Sequence, residues 1–593
     1  MKCIPIAGFV LMFIGCCAVV RGQQPCGGIT LQQQMLKAAA QEKMNAHSSS
    51  SFSTDQRAER IASVSDGRVS ESVDSVDEGE VSLAYNPGDS NQLVLSYMSH
   101  DNFQFPVYYS SDGGSSWTKS SFNTLTVRST DFPDRMIEGF GDPAFAWDKN
   151  GTVYMSWIYI ERLTSTPLSD SLYWTISWAY STDMGHTWQL KTNHFIGQGI
   201  FSLMTGTAYN YKDGVCDRGW LAVDNSGGPH QGNLYCSFVC YPPDGSATYL
   251  GLRAKLPGAD TFNAAVRAYT GSVNFVNVDV GVNGALNISM ADVGLNKVKY
   301  AGSIDGGAMF STATVVSAAA NLQPFTGHLI HRRENSAVNM CTDGNGGTGN
   351  NVHVVWSDFP GSTINSFYSH STDGGLTWSP RLSLDTLMPG LMTLMPTVAA
   401  NGNNVSISYT GISANDTANY YQLNSADNGV TFGTPTLLSS SPCNYHALGA
   451  ASNSSPLFFG DYNRSVRTQC MTFASWEDCR NGITSKVYFS RTNNCALGIP
   501  DVSSVNSDAQ LLSVFPNPAS EQMTLKIRSS GNQPASVTLT DIAGRQQFAK
   551  TYDLHAGTHE IVIPLHDLSS GMYIVTLRDE AGIIATRSVV CGR

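Results

Sequence analysis

Charge is scarce in this chain. Asp, Glu, Lys and Arg make up 14% of its 593 residues, the formal net charge is -12, and no long run of Lys or Arg occurs. That combination excludes nucleic acid, and an anionic membrane surface, as the main partner. An anionic ligand would need a local cluster of arginines. No CxxC pair or His cluster has the spacing of a zinc site, and no Gly-rich phosphate loop, GxSxG elbow or HExxH motif is present. No cofactor is therefore expected, calcium held by acidic residues being the one candidate ion. His194, His230 and His331 stand apart, without a partnering Asp or Ser motif.

What is present begins with an export signal. Lys2 precedes an apolar run from Cys3 to Val20, and Gly22 precedes Gln23, so residues 1–22 read as a signal peptide. A membrane anchor is the alternative, but the run is short for spanning and no basic stop-transfer cluster follows. Phe13-Ile14-Gly15-Cys16 loosely resembles a lipoprotein cleavage box, which would place a lipid on Cys16. Cleavage removes Cys3, Cys16 and Cys17 of the thirteen cysteines and leaves ten, an even number suited to disulfides in an oxidising compartment. Cys470 and Cys479 could bridge a hairpin, and Cys236 and Cys240 have the parity to share one face of a strand.

Residues 23–78 are polar and Ser-rich and read as a linker with a short helix. From 79 to 496 short apolar strands alternate with Gly, Asn and Asp turns, which predicts an all-β unit. Within it one phrase recurs: Ser110–Trp117, Ser181–Trp188, Ser303–Phe310, Ser371–Trp378 and Ser425–Phe432 all follow S-x-D-x-G-x-x-[WF], with acids Asp112, Asp183, Asp305, Asp373 and Asp427. The chemistry of each is local: the Asp accepts turn N–H groups, the Gly supplies a turn conformation, and the aromatic packs beneath. The pattern resembles the Asp-box of the sialidase-like, BNR-repeat family. That resemblance implies a β-propeller of four-stranded blades, with the boxes structural and away from the ligand face. Blades starting near Glu80, Asp142, Asp217, Asn274, Arg333, Met395 and Asp461 make seven, with six as the alternative.

After a linker at 497–508, residues 509–593 form a second all-β unit. Phe515-Pro516-Asn517-Pro518, Val537 to Gly544, and Leu568 to Leu577 resemble, in that order, the C-terminal sorting domain of the type IX secretion system. The resemblance implies a small immunoglobulin-like β-sandwich, recognition by the type IX machinery, and a secreted or outer-surface location. An ordinary immunoglobulin-like accessory module is the alternative.

In a propeller the first strand of each blade lines the central channel, and its leading end opens where ligands usually bind. Those ends carry Glu80, Asp142, Asp217 with Arg218, Arg332 with Arg333 and Glu334, and Asp461 with Tyr462 and Arg464. Resemblance to sialidases implies Asp142 as the acid, Tyr462 with Glu334 as the nucleophile pair, and Arg218, Arg333 and Arg464 as a carboxylate clamp beside Asp217 and Asp461. The Arg-Ile-Pro motif that opens the sialidase pattern is missing, since Glu80-Val-Ser-Leu stands in its place. The acids and arginines could equally cap strands or pair with each other. Three readings follow: an exo-acting glycosidase on extracellular glycans, a non-catalytic propeller binding glycan or glycoprotein, and a polysaccharide lyase.

Overall fold

The computed structural model describes residues 66–592 apart from short breaks, the longest being 71–76, 123–134, 165–170, 445–456 and 495–508. The signal peptide, most of the polar segment after it, His331 and the 497–508 linker lie outside the described residues. The chain divides into two compact units, Met1–Asn494 and Cys495–Arg593.

Among the described residues the first unit contains seven antiparallel sheets of four or five strands. Their innermost strands are Glu78–Asn86, Arg135–Trp147, Val215–Val223, Val273–Val280, Asn339–Thr342, Met392–Asn401 and Arg464–Arg467. Each packs against the innermost strand of the next sheet, and the seventh packs against the first. The seventh sheet is completed from the other end of the unit, by Asp66–Arg68 pairing with Tyr488–Ser490. The globular unit thus begins inside the stretch that composition assigns to the linker. The innermost strands are nearly continuous in burial, as expected of strands covered on both faces. Trp157, Trp178, Trp356 and Trp476, on second and third strands, are the largest fully buried side chains.

Six of the seven expected starts fall in or within three residues of an innermost strand. Arg333 does not: the fifth sheet opens at Asn339, and Arg332–Glu334 belongs to a separate small sheet with Phe325–Thr326 and Leu457–Phe458. The run of charge there marks a connection between sheets.

The recurring S-x-D-x-G phrases form the turns between third and fourth strands. At Ser371–Trp378, the Asp373 carboxylate accepts from Thr377 N at 2.9 Å and Thr377 Oγ1 at 2.5 Å, while Ser371 Oγ accepts from Gly375 N at 2.8 Å. Gly375 does more than turn the chain. Its φ is +84°, and a Cβ there would lie 2.0 Å from the ring of Tyr300 on the preceding sheet. Trp378 meets the same ring edge-on at 5.5 Å and donates to Thr314 at 3.2 Å. The same relation at Gly114 sets the first sheet against Phe489 of the seventh. The repeat therefore joins sheet to sheet as well as strand to strand.

The disulfide pairing differs from the sequence expectation. Cys479 bonds Cys443 across a separation of 36 residues, and Cys470 is bonded to another cysteine. A connection from the sixth sheet to the seventh replaces the expected hairpin bridge. Cys216 and Cys240 face each other in register as buried thiols.

The second unit has a three-stranded sheet, Ala509–Phe515, Gln522–Ser529 and Gly557–Pro564, and a four-stranded sheet built from Gln533–Asp541, Gln546–Leu554, Gly571–Asp579 and Gly582–Cys591. Alternate residues Met523, Leu525 and Ile527 on one sheet and Val537, Leu539, Val575 and Leu577 on the other form one core, the period-2 pattern of sheets with one wet face.

Candidate functional site

One local distortion recurs along the innermost strands of the first unit. Glu80, Asp142, Arg218, Phe275 and Met395 have φ of 55°, 50°, 57°, 48° and 51°. Each sits inside a register shift of its strand, between Gly79 and Ser82, Gly141 and Ala144, Asp217 and Trp220, Asn274 and Asn277, and Leu394 and Thr397. A bulge inserts an extra residue and re-aims the side chain, and left-handed backbone at a non-Gly residue costs of order 1–3 kcal/mol. Four of the five, Asp142, Arg218, Phe275 and Met395, line a single cavity of about 20 Å³ with Tyr462 and Trp220, room for about one water.

Around that cavity the polar groups form two connected sets. In the first, the Tyr462 hydroxyl donates to Asp142 Oδ1 at 3.3 Å, Asp142 N donates to Glu80 Oε2 at 3.3 Å, and Glu80 N donates to Glu477 Oε1 at 2.7 Å. The chain crosses the second, first and seventh sheets. Gly460 has to be glycine for it, because a Cβ there would stand 1.8 Å from Glu477 Oε1. In the second set, Arg218 Nη2 forms a buried ion pair with Asp461 Oδ2, and the guanidinium lies 4.2 Å from the centre of the Phe275 ring. Asp461, Asp142 and Asp217 all act on Arg218 and raise its pKa against burial.

This environment sets protonation. Burial, with Asp142 and Asp461 adding to it, pushes the Asp217 carboxyl up to about 7. Burial, and then the Asp142 and Glu80 charges, hold the Tyr462 phenol well above its ordinary value, so it stands as a neutral donor at physiological pH.

Of the candidate residues, the structure brings Asp142 to Tyr462 and Arg218 to Asp461, with Asp217 beside both. Arg464 has a different partner: its guanidinium lies over the Trp220 ring at 5.0 Å, and Trp220 meets Tyr462 edge-on at 5.5 Å. Arg333 and Glu334 are placed only by their backbone, in the small sheet, and their side chains lie outside the described residues. Sequence reasoning passed over Glu477, which lies near the C-terminal end of a second strand, and Phe275 and Met395, apolar residues at the same bulge position as Glu80, Asp142 and Arg218. A signal was available in the alignment of the five bulges on their strands, but it shows only once the register is known. Among the described residues no group of three or more His, Cys, Asp or Glu side chains could hold a metal ion.

Residues 513–591 match the family model of the secretion system C-terminal sorting domain. The chain is accordingly secreted and delivered to the outer cell surface. Comparison with the curated proteins finds no match. Among solved structures, a protein of unknown function from Dyadobacter fermentans is 17% identical over 60% of this chain and 96% of that one, with a TM-score of 0.38. Hadza microbial sialidase Hz136 is 17% identical over 56% of this chain and 63% of that one, with a TM-score of 0.37. An α-L-arabinanase from Penicillium chrysogenum complexed with arabinobiose is 13% identical over 71% of this chain and 94% of that one, with a TM-score of 0.34.

Proposed function

We propose that the first unit is a closed, seven-bladed Asp-box propeller that hydrolyses extracellular glycans from the cell surface or after release. Asp142 is the acid/base, Tyr462 its hydrogen-bonded partner, and a neutral sugar the substrate. Closure is supported by the packing of the seventh innermost strand on the first and by the strand Asp66–Arg68, which joins the two ends of the unit in one sheet. The observation that carries the site is the Tyr462 to Asp142 hydrogen bond at 3.3 Å, held on a bulged strand at the cavity. A carboxylate in hydrogen-bonding reach of a phenol supplies general acid–base chemistry, and the raised Asp217 beside it is a carboxyl that carries a proton near neutral pH.

The charge balance favours a neutral substrate. Asp142, Asp217 and Asp461 surround Arg218, and that arginine is committed to Asp461. A carboxylated sugar would enter a field of its own sign and would have to displace Asp461 to reach the guanidinium. The test is hydrolysis by the full chain of neutral aryl glycosides and plant or host oligosaccharides beside a fluorogenic sialoside. The expected result is turnover of a neutral substrate that falls by about 100-fold or more in Asp142→Asn. Release of sialic acid, lost in Tyr462→Phe, would instead restore the sialidase assignment.

A second reading has its own observation. The cavity at Asp142 and Tyr462 has room for about one water, which suits a propeller that holds glycan or glycoprotein at its rim without turnover. Glycan binding with no product from any substrate would favour it.

A further inference from the structure

The innermost strands have a second end, and a larger cavity of about 220 Å³ opens there. All seven strands or the turns just after them reach it, from Tyr85 and Trp147 round to Arg464 and Arg467. It lies at the trailing ends, whereas Asp142, Arg218 and Tyr462 lie at the leading ends.

Its two arginines are under-compensated. Arg467 is 4% exposed; it donates through Nη1 to Ser406 and, at 2.9 Å, to Thr472, while its Nε has no hydrogen-bond partner. Arg464 Nη1 is likewise buried without a partner. Among the described residues neither makes an ion pair. Burial alone pulls Arg467 down to about 10, and burial pulls Arg464 down despite the Asp279 charge nearby. Asp279 is itself taken up by Thr342 N at 2.8 Å, Thr342 Oγ1 at 2.9 Å and Val280 N at 2.9 Å. A buried guanidinium without a carboxylate is costly, and its planar fork fits an oxyanion. The volume is about ten times that of the leading-end cavity, room for a monosaccharide more than for a bare ion. Tyr85 and Trp147 supply aromatic walls.

We propose that this trailing-end cavity is a binding site for a carboxylate-bearing monosaccharide, with Arg464 receiving the carboxylate. The site stands on its own geometry and does not depend on the reading of the leading end.

The experiment is calorimetric titration of the full chain with glucuronate, glucose and inorganic sulfate, on the wild type and on Arg464→Gln and Asp279→Asn. Glucuronate binding is expected, weakened about tenfold or more by Arg464→Gln, the loss of a charge-assisted contact, and tightened by Asp279→Asn, which removes the competing carboxylate. Opposite shifts in the two variants cannot come from a shared loss of folding. Thermal melts of both confirm that they fold. Absence of glucuronate binding to the wild type, equal binding of glucose, sulfate binding as tight as glucuronate, or shifts of the same sign in both variants would overturn the assignment.

Discussion

The two ends of the innermost strands are built from the same seven segments and differ in almost every physical respect. At the leading end five residues take a left-handed conformation, acids surround one arginine, and the space is about 20 Å³. At the trailing end two arginines lack carboxylate partners and the space is about 220 Å³. The trailing side also carries the S-x-D-x-G turns, which fix each sheet to its neighbour through contacts such as Gly375 against Tyr300. The scaffold is thus secured by its turns at one end. At the other it carries strained backbone and a buried cluster of acids around one arginine, the usual signs of residues held for a purpose other than stability.

The contrast can be broken most severely at the buried ion pair. Arg218→Met removes the guanidinium from Asp461 while keeping its bulk, and should destabilise the first unit by about 3–5 kcal/mol, measured by urea denaturation of the full chain. A loss below about 1 kcal/mol would mean that the pair is solvated and that the leading end is no tighter than the trailing end.

A smaller effect comes from Asp217. Its folded pKa of about 7 lies above the ordinary aspartate value of 3.8, so the folded state holds a proton that the unfolded chain releases. Its contribution to stability is complete below pH 4 and is lost as pH rises through 7. Asp217→Asn should flatten this part of the pH profile and gain relative to wild type between about pH 4 and pH 8. Parallel profiles for the two proteins would show that Asp217 is ionised throughout.

Much of this was legible in the sequence. The repeats Ser110–Trp117, Ser181–Trp188, Ser303–Phe310, Ser371–Trp378 and Ser425–Phe432 carry their own local chemistry, and counting strands around them located six of the seven sheet openings. The motif order after Leu512 located the sorting domain that the family model matches. What escaped depends on long-range register. Arg333 reads like the start of a strand because a charged run precedes an apolar one, yet Asn339 opens the sheet. Phe275 and Met395 give no polar signal, although they occupy the same bulge position as Glu80. Cys479 lies near Cys470 in sequence, but its partner Cys443 comes from another sheet. Arg218, Arg333 and Arg464 suit a carboxylate clamp by residue type, but side-chain direction cannot be read from type, and the Arg464 guanidinium lies over the Trp220 ring. The 220 Å³ cavity has contributions from all seven sheets, so no single stretch of sequence announces it.

The most direct measurement is a crystal structure of the full chain soaked first with a neutral oligosaccharide and then with a sialic-acid analogue. The account predicts the neutral sugar at the leading end, with its glycosidic oxygen in hydrogen-bonding reach of Asp142, and Arg218 still paired with Asp461. A sialic-acid carboxylate held there by Arg218, Arg333 and Arg464, with Asp461 displaced, would contradict it.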